Sequence, residues 1–256
     1  MFTRAIVRKP GMNFSQGLTS FEGPPADFEL ALEQHEAYCA ALERCGLEIA
    51  RLEADLEHPD STFVEDVAVL AHGRAMLTRP GAKSRAGEVA GIRDSIRKFF
   101  SVVEEIVAPG TLDGGDVCEA GNHFFIGISR RTNVEGAKQL VGFLLKAGCT
   151  SSFVDIRAMR SILHLKSGIA CVGERQLVVI EEMAALEEFR GFELIRVAHE
   201  ESYAANCVRV NGRVLIAAGF PALAAELSRR KIKFIPLEVS EFRKMDGGLS
   251  CLSLRF

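Results

Sequence analysis

The sequence predicts a closed α/β propeller of five ββαβ units arranged with approximate five-fold symmetry. Three observations predict it. A pattern of strand, tight turn and strand recurs four times along the 256 residues. An amphipathic helical stretch and then a short strand follow most of these hairpins. The chain also ends in a strand without a return partner, which the N-terminal strand can supply. Five units of roughly 51 residues suit a repeat architecture.

The elements follow in order. Phe2 to Val7 reads as a short strand; it has neither the long apolar run nor the small-residue cleavage site of a signal peptide. Gly11 to Asp27 is rich in Gly, Ser and Pro and is expected to be a long loop, a candidate lid. Ala31, His35, Tyr38 and Leu42 mark one face of a helix that Gly46 ends. The first hairpin is Phe63–Leu70 and Ala75–Thr78 about His72-Gly73. The second is Gly115–Cys118 and Phe124–Gly127 about Gly121-Asn122. The third is Ser167–Val172 and Leu177–Ile180 about Gly173-Glu174. The fourth, Asn206–Val210 and Val214–Ile216, turns at Asn211-Gly212, a strong hairpin signal between apolar strands.

Helical periodicity returns at Val89, Ile92, Ile96 and Phe99, and again at Ala137, Leu140, Val141, Leu144 and Leu145 before Gly148. Pro221 suits the first turn of a further helix. Short strands close the units at Leu47–Arg51, Val102–Val107, Phe153–Ile156, Leu194–Val197 and Phe234–Val239, and Leu249–Phe256 ends the chain. One catalytic domain spanning 1–256 is implied, with the lid loop at about 11–27. An ordinary doubly wound sheet would leave the hairpins unexplained.

Composition narrows the function. Hydrophobic residues make up 48% and charged residues 25%, with a formal charge of −3 and no long run of one sign. Nucleic acid and a membrane are therefore not expected as partners, and no apolar run is long enough to span a bilayer. Seven cysteines without a Cys-x-x-Cys pair argue against a disulfide framework and a structural zinc site and fit the cytoplasm. The six histidines show no metal-ligand spacing, and phosphate-loop, dinucleotide and serine-elbow motifs are absent. No cofactor and no metal are implied. A homodimer is left open.

Polar residues gather just before the inner strand of each unit: Asp60, Glu65 and Asp66; Asp113 and Asp116; His164 and Lys166; Asn206; Asp246 and Cys251. Equivalent positions in a closed ring converge on its axis, where convergent polar groups make a ligand site. Each alone has a plainer explanation. Asp-Gly-Gly-Asp at 113–116 and Asp-Gly-Gly at 246–248 suit turns, His164 between two leucines suits a buried histidine, and Cys251 suits a packing cysteine. Their shared register is what favours chemistry. Acidic groups suit a cation, and a guanidinium presents several N–H donors to carboxylates. Its resonance-stabilised carbon calls for a thiolate, with an imidazole to carry protons and a carboxylate behind it.

The segments Phe63-Val64-Glu65-Asp66, Thr78-Arg79-Pro80-Gly81-Ala82, Leu112-Asp113-Gly114-Gly115-Asp116, Arg131-Thr132-Asn133, Leu163-His164-Leu165-Lys166, Ala204-Ala205-Asn206-Cys207 and Asp246-Gly247-Gly248-Leu249-Ser250-Cys251 resemble the dimethylarginine dimethylaminohydrolase family. The resemblance covers essentially the whole chain. It implies the pentein fold and hydrolysis of asymmetric dimethylarginine or monomethylarginine to citrulline, through an S-alkylthiouronium on Cys251. It implies His164 as acid/base and Asp113 as the acid orienting it. Asp66 would hold the guanidinium with Glu65 nearby, and Asp60 the α-amino group. Arg85 and Arg131 would clamp the α-carboxylate, with Arg130 the alternative to Arg131. Leu18 would close over the substrate, and the backbone carbonyl of Met245 would line the pocket. Two other readings are arginine deiminase activity, whose reacting residues would be nearly the same, and a non-catalytic binding module, which would not need Cys251, His164 and Asp113 together.

Overall fold

The computed structural model describes all 256 residues. It contains five sheets of three strands each. The chain begins with β1 (Arg4–Arg8), α1 (Phe28–Arg44) and β2 (Glu48–Leu52). The first hairpin unit is β3 (Ala68–Ala71), β4 (Arg74–Leu77), α2 (Glu88–Phe99) and β5 (Val102–Glu105). The second is β6 (Val117–Ala120), β7 (His123–Ile128), α3 (Val134–Lys146) and β8 (Thr150–Asp155). The third has β9 (Ile169–Gly173), β10 (Gln176–Ile180) and β11 (Glu193–Val197). The fourth has β12 (Val208–Val210), β13 (Arg213–Ala217), α4 (Pro221–Arg229) and β14 (Phe234–Leu237). A short helix, α5 (Ser240–Lys244), precedes the last strand, β15 (Leu254–Arg255).

Every sheet follows one plan. An inner strand runs antiparallel to the middle strand, which pairs in parallel with the outer strand, as β3, β4 and β5 do. A tight turn can make the first connection, whereas the second needs a crossover. Both residues of the His72-Gly73 turn take positive φ, 44° and 76°, as the tightest hairpins require. Gly46, at φ 91°, follows the end of α1 in the left-handed conformation that releases the chain toward β2. The fifth sheet joins the chain ends: β1 pairs antiparallel with β15 and parallel with β2, and this closes the ring.

Two features depart from the sequence pattern. The third unit crosses from β10 to β11 through 3₁₀ turns at Glu181–Met183 and Glu187–Phe189 instead of a helix. Its buried anchors, Met183 and Phe189, lie six residues apart, a spacing that one helical face does not repeat. The inner strands also start later than expected. The residues ahead of them fold as 3₁₀ turns at Val64–Val67, Gly114–Asp116, Leu165–Ser167, His199–Ala205 and Leu249–Leu252. Cys251, expected inside the last strand, lies in the last of these turns. Val64, Val67, Leu249 and Leu252 are buried, so apolar patterning runs unbroken from turn into strand. The turns matter because a strand sends successive side chains to opposite faces, whereas a turn gathers neighbouring side chains at the strand's end.

Candidate active site

Hydrogen bonds tie the turns of neighbouring units together. Gly115 N–H donates to Asp66 Oδ1 at 2.8 Å, and Leu165 N–H to Asp116 Oδ1 at 2.9 Å. Ser250 N–H donates to Asn206 Oδ1 at 3.0 Å, while Ser250 Oγ donates to Glu65 Oε2 at 2.8 Å. Four of the five junctions are thus fastened by a side chain from one unit. The Asp-Gly-Gly-Asp turn needs its glycines for this approach. A Cβ on Gly114 would lie 2.0 Å from Glu65 O, and one on Gly115 would lie 2.8 Å from His164 Nδ1.

His164 is buried, and its Nε2 lies 3.0 Å from Asp113 Oδ2. The other oxygen of Asp113 accepts from Gly81 N–H at 2.8 Å, which fixes the carboxylate. Burial disfavours an imidazolium. The charge of Asp66, the Asp113 hydrogen bond and the charge of Asp116 outweigh that burial and raise the His164 pKa to about 9. Asp116 is held by Ser129 Oγ and Thr132 Oγ1, each donating at 2.6 Å. It therefore anchors the turn that carries His164.

Cys251 is 9% exposed. Its Sγ lies 4.0 Å from Asn206 Nδ2, and its backbone N–H donates to Gly248 O at 3.1 Å. Burial, together with the charges of Glu65 and Asp66, pushes the thiol up to about 12. Glu65 has other partners: its carboxylate pairs with Lys166 at 2.6 Å and Arg255 at 3.5 Å and accepts from Ser250. These groups line a small axial cavity of about 130 Å³ with Cys118, Cys171 and Cys207.

Asp66 is almost fully buried, and burial favours its neutral form. His164 and Arg85 overcome this and lower its pKa to about 2, so it is a carboxylate. Arg85 Nη1 donates to Asp66 Oδ2 at 2.5 Å, and its Nε and Nη2 donate to Glu88 at 2.9 and 2.7 Å. Nη2 also points at the carbonyls of Asp60 and Phe63, each at 3.3 Å. One hydrogen on Nη1 is left for another acceptor.

The lid segment packs back on the ring. Phe14 is buried against Phe63 and Phe242, with ring centroids 6.0 and 5.4 Å apart. Leu18 N–H donates to both oxygens of Asp60, at 3.0 and 3.2 Å, while its side chain is 42% exposed. Met245 is buried beneath, with its Cε beside Gly17. Arg131 is half-buried, its charge acts on Asp60, and its backbone comes so close to Gly81 that no Cβ fits there. Arg130 is exposed and lines a broad groove of about 1120 Å³ with Ser20, Leu163, Tyr203, Asn206 and Asp246. That groove is the larger cavity, yet Cys251 and His164 do not line it.

Sequence reasoning left out four residues that the site uses. Asp116 and Asn206 lay in the common register but were given no role, although they fasten the His164 and Cys251 turns. Glu88 carried one weak signal, an acid three residues after Arg85 in the first turn of α2. Asp246 also stood in the common register, where its Asp-Gly-Gly suited a turn, and it receives the lid through Ser20.

A closed five-unit α/β propeller that gathers a cysteine, a histidine–aspartate pair and a buried carboxylate onto the turns of its inner strands is a pentein of the guanidine-modifying class. The arginine deiminase family profile matches residues 96–214. The chain is 43% identical, over the full length of both proteins, to the N(G),N(G)-dimethylarginine dimethylaminohydrolase of Pseudomonas aeruginosa. It is 34% identical to that of Streptomyces coelicolor, over 98% of this chain and 96% of the relative. A solved structure of a cysteine-to-serine mutant of the Pseudomonas aeruginosa protein, complexed with citrulline, superposes with a TM-score of 0.96 over the whole of both chains. The chain belongs to the dimethylarginine dimethylaminohydrolase family. The N-terminal domain of ArgZ, a cyanobacterial arginine dihydrolase, shares the fold, at 18% identity and a TM-score of 0.88 over 100% of this chain and 97% of that one.

Proposed function

We propose that this chain hydrolyses asymmetric dimethylarginine and monomethylarginine to citrulline and dimethylamine or methylamine. One observation carries the reading: the His164–Asp113 pair and the buried Asp66 carboxylate stand on successive turns that are hydrogen-bonded to one another, and the Glu65–Ser250 bond joins the Asp66 turn to the one that carries Cys251. A further solved relative, a dimethylarginine dimethylaminohydrolase trapped as an adduct with S-methyl-L-thiocitrulline, also supports it.

The chemistry follows from the charges. Near neutral pH the Cys251 thiol is protonated and His164 is an imidazolium. A substrate guanidinium on Asp66 brings a positive charge beside the thiol, offsets the carboxylate field and favours the thiolate, so the thiol proton is lost to solvent as the substrate binds. The thiolate bonds to the guanidinium carbon. His164 gives a proton to the departing amine, the C–N bond breaks, and a thiouronium remains on Sγ. Neutral His164 then takes a proton from water as the oxygen bonds to that carbon. Collapse breaks the C–S bond and releases citrulline. Asp113 holds Nε2 throughout, which leaves Nδ1 to exchange the proton.

At the other end of the substrate, Arg131 meets the α-carboxylate, and Arg85 adds its remaining Nη1 hydrogen. Asp60 and the Met245 carbonyl face the α-amino end, and Leu18 covers it. Glu65 acts on the guanidinium only through its charge and its hold on Ser250. No helix of the structure is long and apolar enough to cross a membrane. Seven free thiols suit a reducing cytoplasm, and sedimentation of the purified chain distinguishes a monomer from a homodimer.

The test is citrulline release from arginine, monomethylarginine and both dimethylarginines. Turnover of the asymmetric dimethyl and monomethyl forms well above arginine is expected. Preferred turnover of arginine would overturn the reading in favour of a deiminase, the activity that the matched profile names.

A further inference from the structure

The segment Met245–Gly248 leads into the nucleophile's turn, and its one charged side chain takes no part in the chemistry above. Asp246 adopts φ 55°, a left-handed conformation that an aspartate tolerates better than most residues. Its carboxylate turns to the lid. Ser20 N–H donates to Oδ2 at 2.6 Å and Ser20 Oγ to Oδ1 at 2.9 Å. Beside it, Thr19 Oγ1 donates to Lys244 O at 2.5 Å, and the same Thr19 oxygen accepts from Phe21 N–H at 2.9 Å. Two residues earlier in the lid, Leu18 N–H is held by Asp60. The lid tip is therefore pinned between two carboxylates, one in the first hairpin unit and one in the strand-free segment before Cys251.

We propose that Asp246 is a positioning residue that latches the lid shut over the substrate. The inference rests on the function proposed above. Asp246 offers two oxygens to two donors of one residue, so the contact fixes the tip in orientation as well as position. Asp60 cannot do this alone. Both of its oxygens meet the single N–H of Leu18, and it also faces the α-amino end of the proposed substrate. The latch is anchored in turn: Tyr203 OH donates to Gly247 O at 2.9 Å, and Gly248 O accepts from Cys251 N–H. Lid closure and the lead-in to the nucleophile thus form one hydrogen-bonded unit. An opened latch frees Leu18 to swing away, which speeds substrate loss and leaves the thiol and imidazole in place.

Two measurements test this on the full chain. The first is cleavage after Phe21 by chymotrypsin without substrate, since Phe21 lies at the exposed tip. The second is steady-state turnover of monomethylarginine. Asp246→Asn keeps the size and tolerates the positive φ but can accept only one of the two bonds. It should raise the cleavage rate and KM by about tenfold each, the worth of one charge-assisted hydrogen bond, with kcat within about twofold. Ser20→Ala, which removes only the Oγ donor, should shift both in the same direction by less, and the double variant should add little to Asp246→Asn. Unchanged cleavage in both single variants would overturn the latch. So would a fall in kcat at constant KM, which would place Asp246 in support of the Cys251 turn alone. The proteolysis needs no substrate, so its failure is separate from a failure of the methylarginine reading.

Discussion

Glu88 grips Arg85 with both carboxylate oxygens, taking hydrogen bonds from Nε at 2.9 Å and Nη2 at 2.7 Å. Arg85 hands its third donor to Asp66, so one buried cation lies between two buried carboxylates. Removing that cation leaves both acids uncompensated. Arg85→Ala is expected to destabilise the protein by about 3–5 kcal/mol, read as a large fall in melting temperature. Arg131→Ala, at a half-buried position with no such pair, should leave stability nearly unchanged. It should cut kcat/KM for monomethylarginine far more than for methylguanidine, which lacks the carboxylate. Equal losses on the two substrates would assign Arg131 to the fold.

Cys251→Ser should abolish turnover with the fold intact, because a serine hydroxyl is too weakly acidic to supply the nucleophile. Alkylation of wild-type Cys251 by iodoacetamide should be slow at pH 7 and still climbing above pH 10, as a thiol held near 12 requires. A plateau below pH 8 would show that the free enzyme already carries the thiolate.

Asp113→Asn should act on His164 and hardly on substrate affinity. The imidazolium is the acid that releases the amine, and its pKa is raised to about 9. Activity should therefore fall as the pH rises through that value. The same raised pKa adds stability that is full below about pH 6.5, the ordinary histidine value, and is lost as the pH rises through about 9. Removing the Asp113 charge should move the falling limb of the rate profile to lower pH and reduce kcat by about 10²–10⁴. If single-turnover rates are unaffected and substrate Kd rises instead, Asp113 is a substrate contact, and Asp116 becomes the histidine's support.

His35 behaves in the opposite sense. It is buried on α1 with its Nδ1 3.7 Å from Cys39 Sγ, and burial, aided by Arg51, lowers its pKa to about 4. The unfolded chain binds this proton from about pH 6.5 downward, whereas the folded chain resists it until about 4. Stability should therefore drop as the pH falls through that window. His35→Gln should flatten the acid side of the melting-temperature profile between pH 7 and 4. An unchanged slope would place the acid sensitivity elsewhere.

The sequence by itself determined the repeat, the hairpins, four of the crossover helices and the pairing of the chain ends, because these rest on local periodicity and turn chemistry. It also marked the register in which Asp66, Asp113, His164 and Cys251 stand. Only the tertiary structure decided how the charges pair. Glu65 went to Lys166 and Ser250, Arg85 to Glu88 as well as Asp66, Arg131 toward Asp60 with Arg130 in the groove, and Asp246 to Ser20. Apart from Glu88, three residues from Arg85, each partner comes from a distant part of the chain, and Glu65, Asp66 and Ser250 stand on 3₁₀ turns that apolar patterning cannot distinguish from a strand. Periodicity reports which face of an element is buried. It carries no information on which buried charge a side chain will meet once five units close into a ring.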